Sequence, residues 1–317
     1  MGTDSGASVA VVGGGAIGGV WAARLARAGN AVSILDVSPV VVEAIRAEGL
    51  VVETSGGGSE TVRLTATSRP EQIGHVDVAY FFVKAQHTAA AADLARPLVG
   101  PDTTVVTQQN GWGNADVLAG VYPPQRLVVG VTYHSATVAA PGRVRHTATG
   151  PSFVGPFVDG GEMAPATRVG ALMGAAGLET TATPGVKTEV WKKLILNCAT
   201  LPTAALTRLT SGGLGDPGPL LEVLDALALE AVAVARALGY AIEPAERLDR
   251  IHTLLAGGGG GKASMLQDVE AARKTEIEVV NGAVVREAVR LGLDAPLNRA
   301  MVALIGGLER SYVQIAA

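Results

Sequence analysis

Lys193 and Asn197 have the types and spacing that first suggest chemistry in this chain. They stand one helical turn apart in the largely apolar run from Trp191 to Cys198. Side chains at positions i and i+4 of a helix project from one face, so the ammonium and the amide converge. Burial lowers the pKa of a lysine, and a lysine with a lowered pKa can donate a proton near neutral pH. The pattern therefore indicates Lys193 as a candidate general acid.

Two further polar residues follow a run of glycines at residues 257–261. We predict a helix from about residue 264 to residue 291, with Glu276 inside it. Ser264 and Gln267 fit a capping box, in which the serine caps this helix. The alternative is that Ser264 binds a substrate carboxylate at the helix N-terminus. Glu276 is either a solvated residue of the helix face or a catalytic carboxylate.

A glycine-rich pattern near the start of the chain predicts a binding site for a dinucleotide. It follows an apolar run at residues 8–12 and precedes a stretch of helical composition at residues 19–28. Glycines let the backbone turn tightly and approach a pyrophosphate, and the N–H groups at a helix N-terminus attract that anion. The residues predicted to bind the cofactor here are Gly13, Gly15, Ala16, Ile17 and Gly18.

A second apolar run, at residues 31–35, ends in Asp36. A carboxylate at this place accepts hydrogen bonds from the ribose hydroxyls, which completes the dinucleotide-binding fingerprint. The same carboxylate repels the 2′-phosphate of NADP, and no basic residue stands next to it. We therefore predict that NAD(H) is the preferred cofactor, with NADP(H) as the alternative.

Two later apolar runs also end in polar residues. Residues 76–83 lead into Lys84, and residues 103–107 lead into a segment that contains Asn110. Ligands bind at the carboxyl ends of the strands in open α/β sheets, so Lys84 and Asn110 are candidate binding residues. The alternatives are a solvated strand end for Lys84 and a simple turn for Asn110.

The composition changes near Pro184. Before this point β-branched runs alternate with helices, and after it segments rich in Ala, Leu and Glu dominate. We predict an α/β protein with a Rossmann-type dinucleotide-binding domain over residues 1–184 and an all-α substrate and catalytic domain over residues 185–317. Pro202 is expected to kink or end the first helix of the second domain.

The overall composition excludes several classes of function. A net charge of -4 argues against a nucleic-acid partner. A single cysteine excludes an intrachain disulfide, and no apolar stretch is suited to a membrane span. We therefore expect a cytoplasmic protein. The histidines lack metal-ligand spacing, so no metal site is predicted, and surface or loop positions are expected for them. His134 and His146 are expected at the positions of a hairpin.

The assembled motifs resemble those of the ketopantoate reductase family over nearly the whole chain. The specific blocks are residues 191–198, residues 264–268 and residues 275–282. The resemblance implies NAD(P)H-dependent reduction of a small-molecule 2-oxo acid to a D-2-hydroxy acid. It implies that Lys193 protonates the carbonyl oxygen and that Glu276 positions the lysine or the nascent hydroxyl. It also implies binding roles for Asn110 and Asn197 at substrate or nicotinamide ribose, for Ser264 at the substrate carboxylate and for Lys84 at the cofactor.

Two positions depart from the family pattern. Leu201 precedes Pro202 where members that reduce ketopantoate have a second asparagine, and Asp36 stands where NADP-using members place a basic residue. Both departures favour an NAD-linked relative of the D-mandelate dehydrogenase kind, which acts on a bulkier, more apolar 2-oxo acid.

Several alternatives stay open beside this interpretation. The first alternative is a reductase of ketopantoate itself in pantothenate biosynthesis. The others are a β-hydroxyacid dehydrogenase and a non-catalytic NAD(H)-binding redox sensor. A homodimer that pairs through residues 220–238 of the helical domain is a further expectation from the resemblance.

Overall fold

The computed structural model describes residues 6–315. Contacts divide the chain into two units. The first contains the chain up to Gln109 and from Asn114 to Lys187, and the second contains Asn110–Gly113 and the chain from Thr188 onward. A short segment from the first half of the sequence therefore belongs to the second unit.

The first unit contains two sheets. Its strands, in chain order, are β1 (Ser8–Val12), β2 (Ala31–Leu35), β3 (Leu50–Thr54), β4 (Ser59–Val62), β5 (Thr65–Thr67), β6 (Val78–Phe81), β7 (Thr104–Thr107), β8 (Leu127–Thr132), β9 (Ser135–Ala140), β10 (Arg143–Ala148), β11 (Ser152–Pro156) and β12 (Thr180–Ala182). Its helices are α1 (Ala16–Arg27), α2 (Pro39–Glu48), α3 (Thr88–Leu94), α4 (Asn114–Ala119) and α5 (Ala164–Ala175). Short 3-10 turns cover Pro70–Gln72, Ala85–His87, Arg96–Leu98 and Pro124–Arg126.

The larger sheet has the strand order β12-β11-β8-β7-β6-β1-β2-β5, and its neighbours are parallel except β8 with β11. The residues of strand β1 explain why this strand lies in the interior of the sheet. Val9 and Val11 pack into one hydrophobic cluster, and Ala10 and Val12 pack into another. Because successive side chains of a strand point to opposite faces, β1 is buried on both sides, as expected of a parallel strand.

The smaller sheet has the order β4-β3-β10-β9, with β3 and β10 parallel. It packs on α1, where a Cβ on Gly19 would lie 2.9 Å from Cγ1 of Val144. His134 lies in the loop before β9, and His146 lies in β10. Neither is a surface residue, because they are 7% and 6% exposed. Their rings stack 5.1 Å apart, and desolvation lowers the pKa of His146. The predicted hairpin is present, but one of its faces is covered.

The second unit is helical. Its elements are α6 (Val186–Thr207), which begins two residues before the division, α7 (Ser211–Leu214), α8 (Pro219–Ala237), α9 (Pro244–Ala256), α10 (Ser264–Glu270), a 3-10 turn at Ile277–Val279, α11 (Asn281–Leu291) and α12 (Pro296–Ile315). This arrangement confirms the predicted fold class. Among residues 6–315, no helix has the length and apolarity needed to cross a membrane.

Pro202 lies inside α6, and the helix continues to Thr207 rather than ending at the proline. A proline has no N–H, so the carbonyl of Cys198, four residues earlier, loses its helical donor. Nδ2 of Asn281 donates to that carbonyl at 2.9 Å. A side chain from α11 therefore replaces the missing helical hydrogen bond.

The predicted continuous helix from residue 264 to residue 291 is wrong, because the chain leaves helical geometry after α10. Ala272 has a φ of 50°, in the left-handed region that ends helices. Glu309 then accepts hydrogen bonds from the backbone N and Oγ1 of Thr275, at 2.8 and 2.6 Å. This tertiary contact holds an irregular segment in place of a helix, and Glu276 lies at its end.

Candidate active site

The glycine-rich loop joins β1 to α1. Gly13 has a φ of 101°, which favours glycine. A Cβ on Gly18 would lie 2.1 Å from the carbonyl oxygen of Gly13, so only glycine lets the helix approach the loop. The fold itself therefore requires two of the three fingerprint glycines.

Gly15 differs from the other two, since a Cβ there would meet no atom within 4 Å and its φ is -71°. Neither packing nor backbone geometry explains the missing side chain, whereas close approach of a pyrophosphate does. Gly15 is the N-cap of α1 and offers no side-chain cap. The backbone N–H groups of the first helical turn, which begins with Ala16 and Ile17, are therefore suited to an anionic ligand.

Asp36 lies beside this loop at the carboxyl end of β2. Its Oδ2 accepts a hydrogen bond from the backbone N of Gly14 at 2.7 Å, and its Oδ1 accepts one from Ser38 N at 2.9 Å. These bonds orient the carboxylate, and each oxygen keeps a second lone pair for a ligand hydroxyl. The residues present fit a nicotinamide dinucleotide.

Two more strand ends of the first unit carry polar groups. Lys84 follows β6 and is the N-cap of the turn Ala85–His87. Gln109 follows β7, and its Nε2 donates to the carbonyl oxygen of Val83 at 2.6 Å and to Oγ1 of Thr88 at 2.9 Å. Gln109 therefore fixes the backbone next to Lys84, a role that the sequence alone did not reveal.

In the second unit, Lys193 and Asn110 are in direct contact: Nζ of Lys193 donates to Oδ1 of Asn110 at 2.9 Å. Desolvation lowers the pKa of Lys193 to about 8, and the negative charge of Glu276 opposes this shift. Near neutral pH the ammonium is therefore present and gives up its proton more easily than that of an ordinary lysine. Two residues predicted to belong to the site, Asn110 and Glu276, thus act on the Lys193 ammonium.

The remaining predicted residues take different positions. Asn197, one turn after Lys193 on α6, is buried with 6% exposure. Ser264 is exposed and is the first residue of α10, whose N-cap is Ala263. The predicted capping box is wrong, because Nε2 of Gln267 donates to the carbonyl of Lys262. Capping therefore does not account for Ser264.

Comparison with known proteins identifies one family over most of the chain. Residues 9–159 match the family model described as Ketopantoate reductase PanE/ApbA, and residues 186–309 match the model of its C-terminal part. The chain belongs to the ketopantoate reductase family. This ketopantoate reductase family member is an NAD(P)-dependent oxidoreductase that acts on CH–OH groups.

Individual relatives match this ketopantoate reductase family member over almost their full length. The 2-dehydropantoate 2-reductase of Halobacterium salinarum is 32% identical over 303 residues, which cover 95% of this chain and 99% of the relative. That of Archaeoglobus fulgidus is 31% identical over 302 residues, which cover 95% and 97%.

Solved structures share the fold. The crystal structure of a PanE/ApbA family ketopantoate reductase from Ralstonia eutropha has a TM-score of 0.86 at 32% identity and covers 96% of this chain and 99% of that one. The ternary structure of D-mandelate dehydrogenase with NADH and anilino(oxo)acetate has a TM-score of 0.91 at 22% identity, with the same coverage.

Leu201, the residue that departs from the family pattern, follows Asn197 by one turn of α6. Its partly buried side chain packs against two hydrophobic clusters of the helical unit. An apolar side chain offers no hydrogen bond to a substrate hydroxyl. Leu201 therefore makes α6 apolar one turn after Asn197.

Proposed function

We propose that this protein reduces a 2-oxo acid to a D-2-hydroxy acid, with Lys193 as the general acid. The observation that carries the proposal is the position of the Lys193 ammonium, which donates to Asn110 and is affected by the charge of Glu276. A bound nicotinamide supplies the hydride. An ammonium aimed at the carbonyl oxygen stabilises the negative charge that develops there and then provides the proton.

The other residues of the proposed site bind and orient. Asn110 and Asn197 hold the substrate or the nicotinamide ribose, and Ser264 receives the substrate carboxylate at the start of α10. Gly13, Gly15 and the first turn of α1 hold the pyrophosphate, and Lys84 lies on the cofactor side. Glu276 keeps Lys193 positively charged, because a nearby carboxylate favours the ammonium.

Two finer features follow from single residues. Asp36 favours NADH, since its carboxylate repels a 2′-phosphate. Leu201 favours a bulky apolar 2-oxo acid such as phenylglyoxylate. The names of the relatives favour a second candidate, ketopantoate itself, because proteins called 2-dehydropantoate 2-reductase match 95% of the chain.

The decisive experiment measures NADH and NADPH oxidation by the purified protein with ketopantoate, phenylglyoxylate and a branched 2-oxo acid, with acetoacetate as a 3-oxo acid control. Chiral chromatography identifies the product. A higher kcat/KM for phenylglyoxylate with NADH supports the proposal. A higher value for ketopantoate favours the second candidate, and turnover of acetoacetate alone contradicts both.

A further inference from the structure

The segment Asn110–Gly113 is anchored among the helices of the second unit, although the chain on both sides of it belongs to the first. The anchor is Trp112. Its backbone N donates to the carbonyl of Val279 at 2.8 Å, and its Nε1 donates to Oε1 of Glu287 at 3.2 Å. A second bond holds Glu287 itself, since Nε of Arg290 donates to its Oε2 at 2.8 Å.

Aromatic packing surrounds the same side chain. The ring of Trp112 lies 5.5 Å from that of Trp191 and 6.1 Å from that of Tyr240, at the tilted and edge-on angles that such pairs prefer. Gly111 has a φ of 90°, and a Cβ there would lie 2.4 Å from the carbonyl oxygen of Val279. The segment therefore fits closely against the turn that contains Val279.

The turn that contains Val279 connects Trp112 to Glu276. The backbone N of Val279 donates to the carbonyl of Glu276 at 3.1 Å, so Trp112 is bonded to the turn that starts at Glu276. Two residues before Trp112, Asn110 accepts the hydrogen bond from Lys193. Trp112 thus joins the two chain segments that carry Asn110 and Glu276. Its backbone N–H bonds to the turn, and its side chain holds it against the neighbouring helices.

We propose that Trp112 is a positioning residue, which holds Asn110 and the turn after Glu276 against Lys193 and keeps water from the ammonium. The proposal rests on the proposed function of Lys193 as the acid. The negative charge of Glu276 acts on Lys193 from this turn. If the segment is released, water replaces Asn110 as the acceptor and desolvation is relieved, so the pKa of Lys193 rises.

The test titrates Lys193 without any substrate. Acetic anhydride labelling of the full chain at a series of pH values, with Lys193 resolved from Lys192 by fragmentation mass spectrometry, gives the pKa of the amine. We expect a rise from about 8 in the wild type toward the ordinary lysine value of about 10.4 in Trp112→Ala. Trp112→Phe keeps a ring against Trp191, and we expect a smaller rise.

The control is Leu255→Ala, which removes a buried side chain of α9 and is expected to lower Tm without moving this pKa. An unchanged pKa in both Trp112 variants contradicts the positioning role, and if Trp112→Ala does not fold, Trp112→Phe alone decides. Wild-type protein that reduces no 2-oxo acid contradicts the proposed function instead, because the labelling needs no turnover.

Discussion

A hydrogen bond from the side chain of Asn281 to the carbonyl of Cys198 takes the place of a backbone bond that a regular helix would make. Nδ2 of Asn281 donates to the carbonyl oxygen of Cys198 at 2.9 Å and to Oδ1 of Asn298 at 2.9 Å, and both asparagines are fully buried. Because the first bond compensates for Pro202, α6 passes through the proline and keeps the residues before and after it on one helix.

Asn281→Ala is expected to lower the free energy of unfolding by about 2–6 kcal/mol, since two buried acceptors each lose a donor at ~1–3 kcal/mol apiece. Urea unfolding measures the change. Adding Pro202→Ala should recover part of the loss, because an N–H at position 202 can bond to Cys198. Strictly additive effects of the two substitutions would contradict this coupling.

Lys193→Ala is expected to lower kcat for 2-oxo acid reduction by about 10²–10⁴, the usual size of acid–base contributions. Lys192→Ala is the matched control, because Lys192 forms an ion pair with Glu189 at 2.9 Å and has no proposed part in the reaction. Steady-state kinetics of both variants decide the matter. Near wild-type kcat in Lys193→Ala would remove the lysine from the mechanism.

The rate of reduction is expected to fall as the pH rises through about 8, where Lys193 loses its proton. Glu276→Gln removes a negative charge that raises this pKa, so the basic limb of the pH profile should move to lower pH. Glu278→Gln, an exposed neighbour, should leave the limb in place. A limb that stays fixed in Glu276→Gln is the contrary result.

Asp36→Ala is expected to raise the NADPH-to-NADH ratio of kcat/KM by about 10-fold or more, since it removes a charge that repels the 2′-phosphate. Asp36→Ala also leaves two backbone N–H groups without their acceptor. This loss affects the reactions with both cofactors, so it cancels in the ratio. Asp77→Ala serves as the control, because Asp77 instead binds the N and Oγ of Ser8. A ratio that is equal in Asp36→Ala and the wild type would show that Asp36 does not discriminate.

Leu201→Asn is expected to raise kcat/KM for ketopantoate relative to phenylglyoxylate by about 10-fold, the value of one good hydrogen bond. Leu206→Asn introduces the same amide on α6 against one of the same clusters and should not change the ratio. Competition assays with both substrates give the ratio directly. If both variants behave alike, Leu201 does not line the substrate site.

Local patterns were sufficient for much of the first unit. The apolar runs at residues 8–12 and 31–35 are strands β1 and β2, because a parallel strand that is buried on both faces is continuously apolar. Of the smaller sheet only the hairpin was predicted, since the central pair of the sheet joins β3 to β10. Such a long-range pairing leaves no signal in either segment alone.

The candidate site was predictable only in part. Lys193, Asn110 and Glu276 were identified from motifs, whereas Trp112 and Glu309 were not. Their importance depends on which turn of the chain they meet, and this is decided by tertiary contacts. The proposed homodimer through residues 220–238 stays a prediction.

The membership of Asn110–Gly113 in the helical unit has a consequence for biosynthesis. Asn110 and Lys193 are 83 positions apart, so a ribosome that adds ~5–20 residues per second makes the anchored segment roughly 4–17 s before its partner lysine. A fragment that starts at Thr188 lacks this segment altogether. The helical half of the chain is therefore not a self-contained module, and Lys193 gains its hydrogen-bond partner Asn110 only when both segments are present.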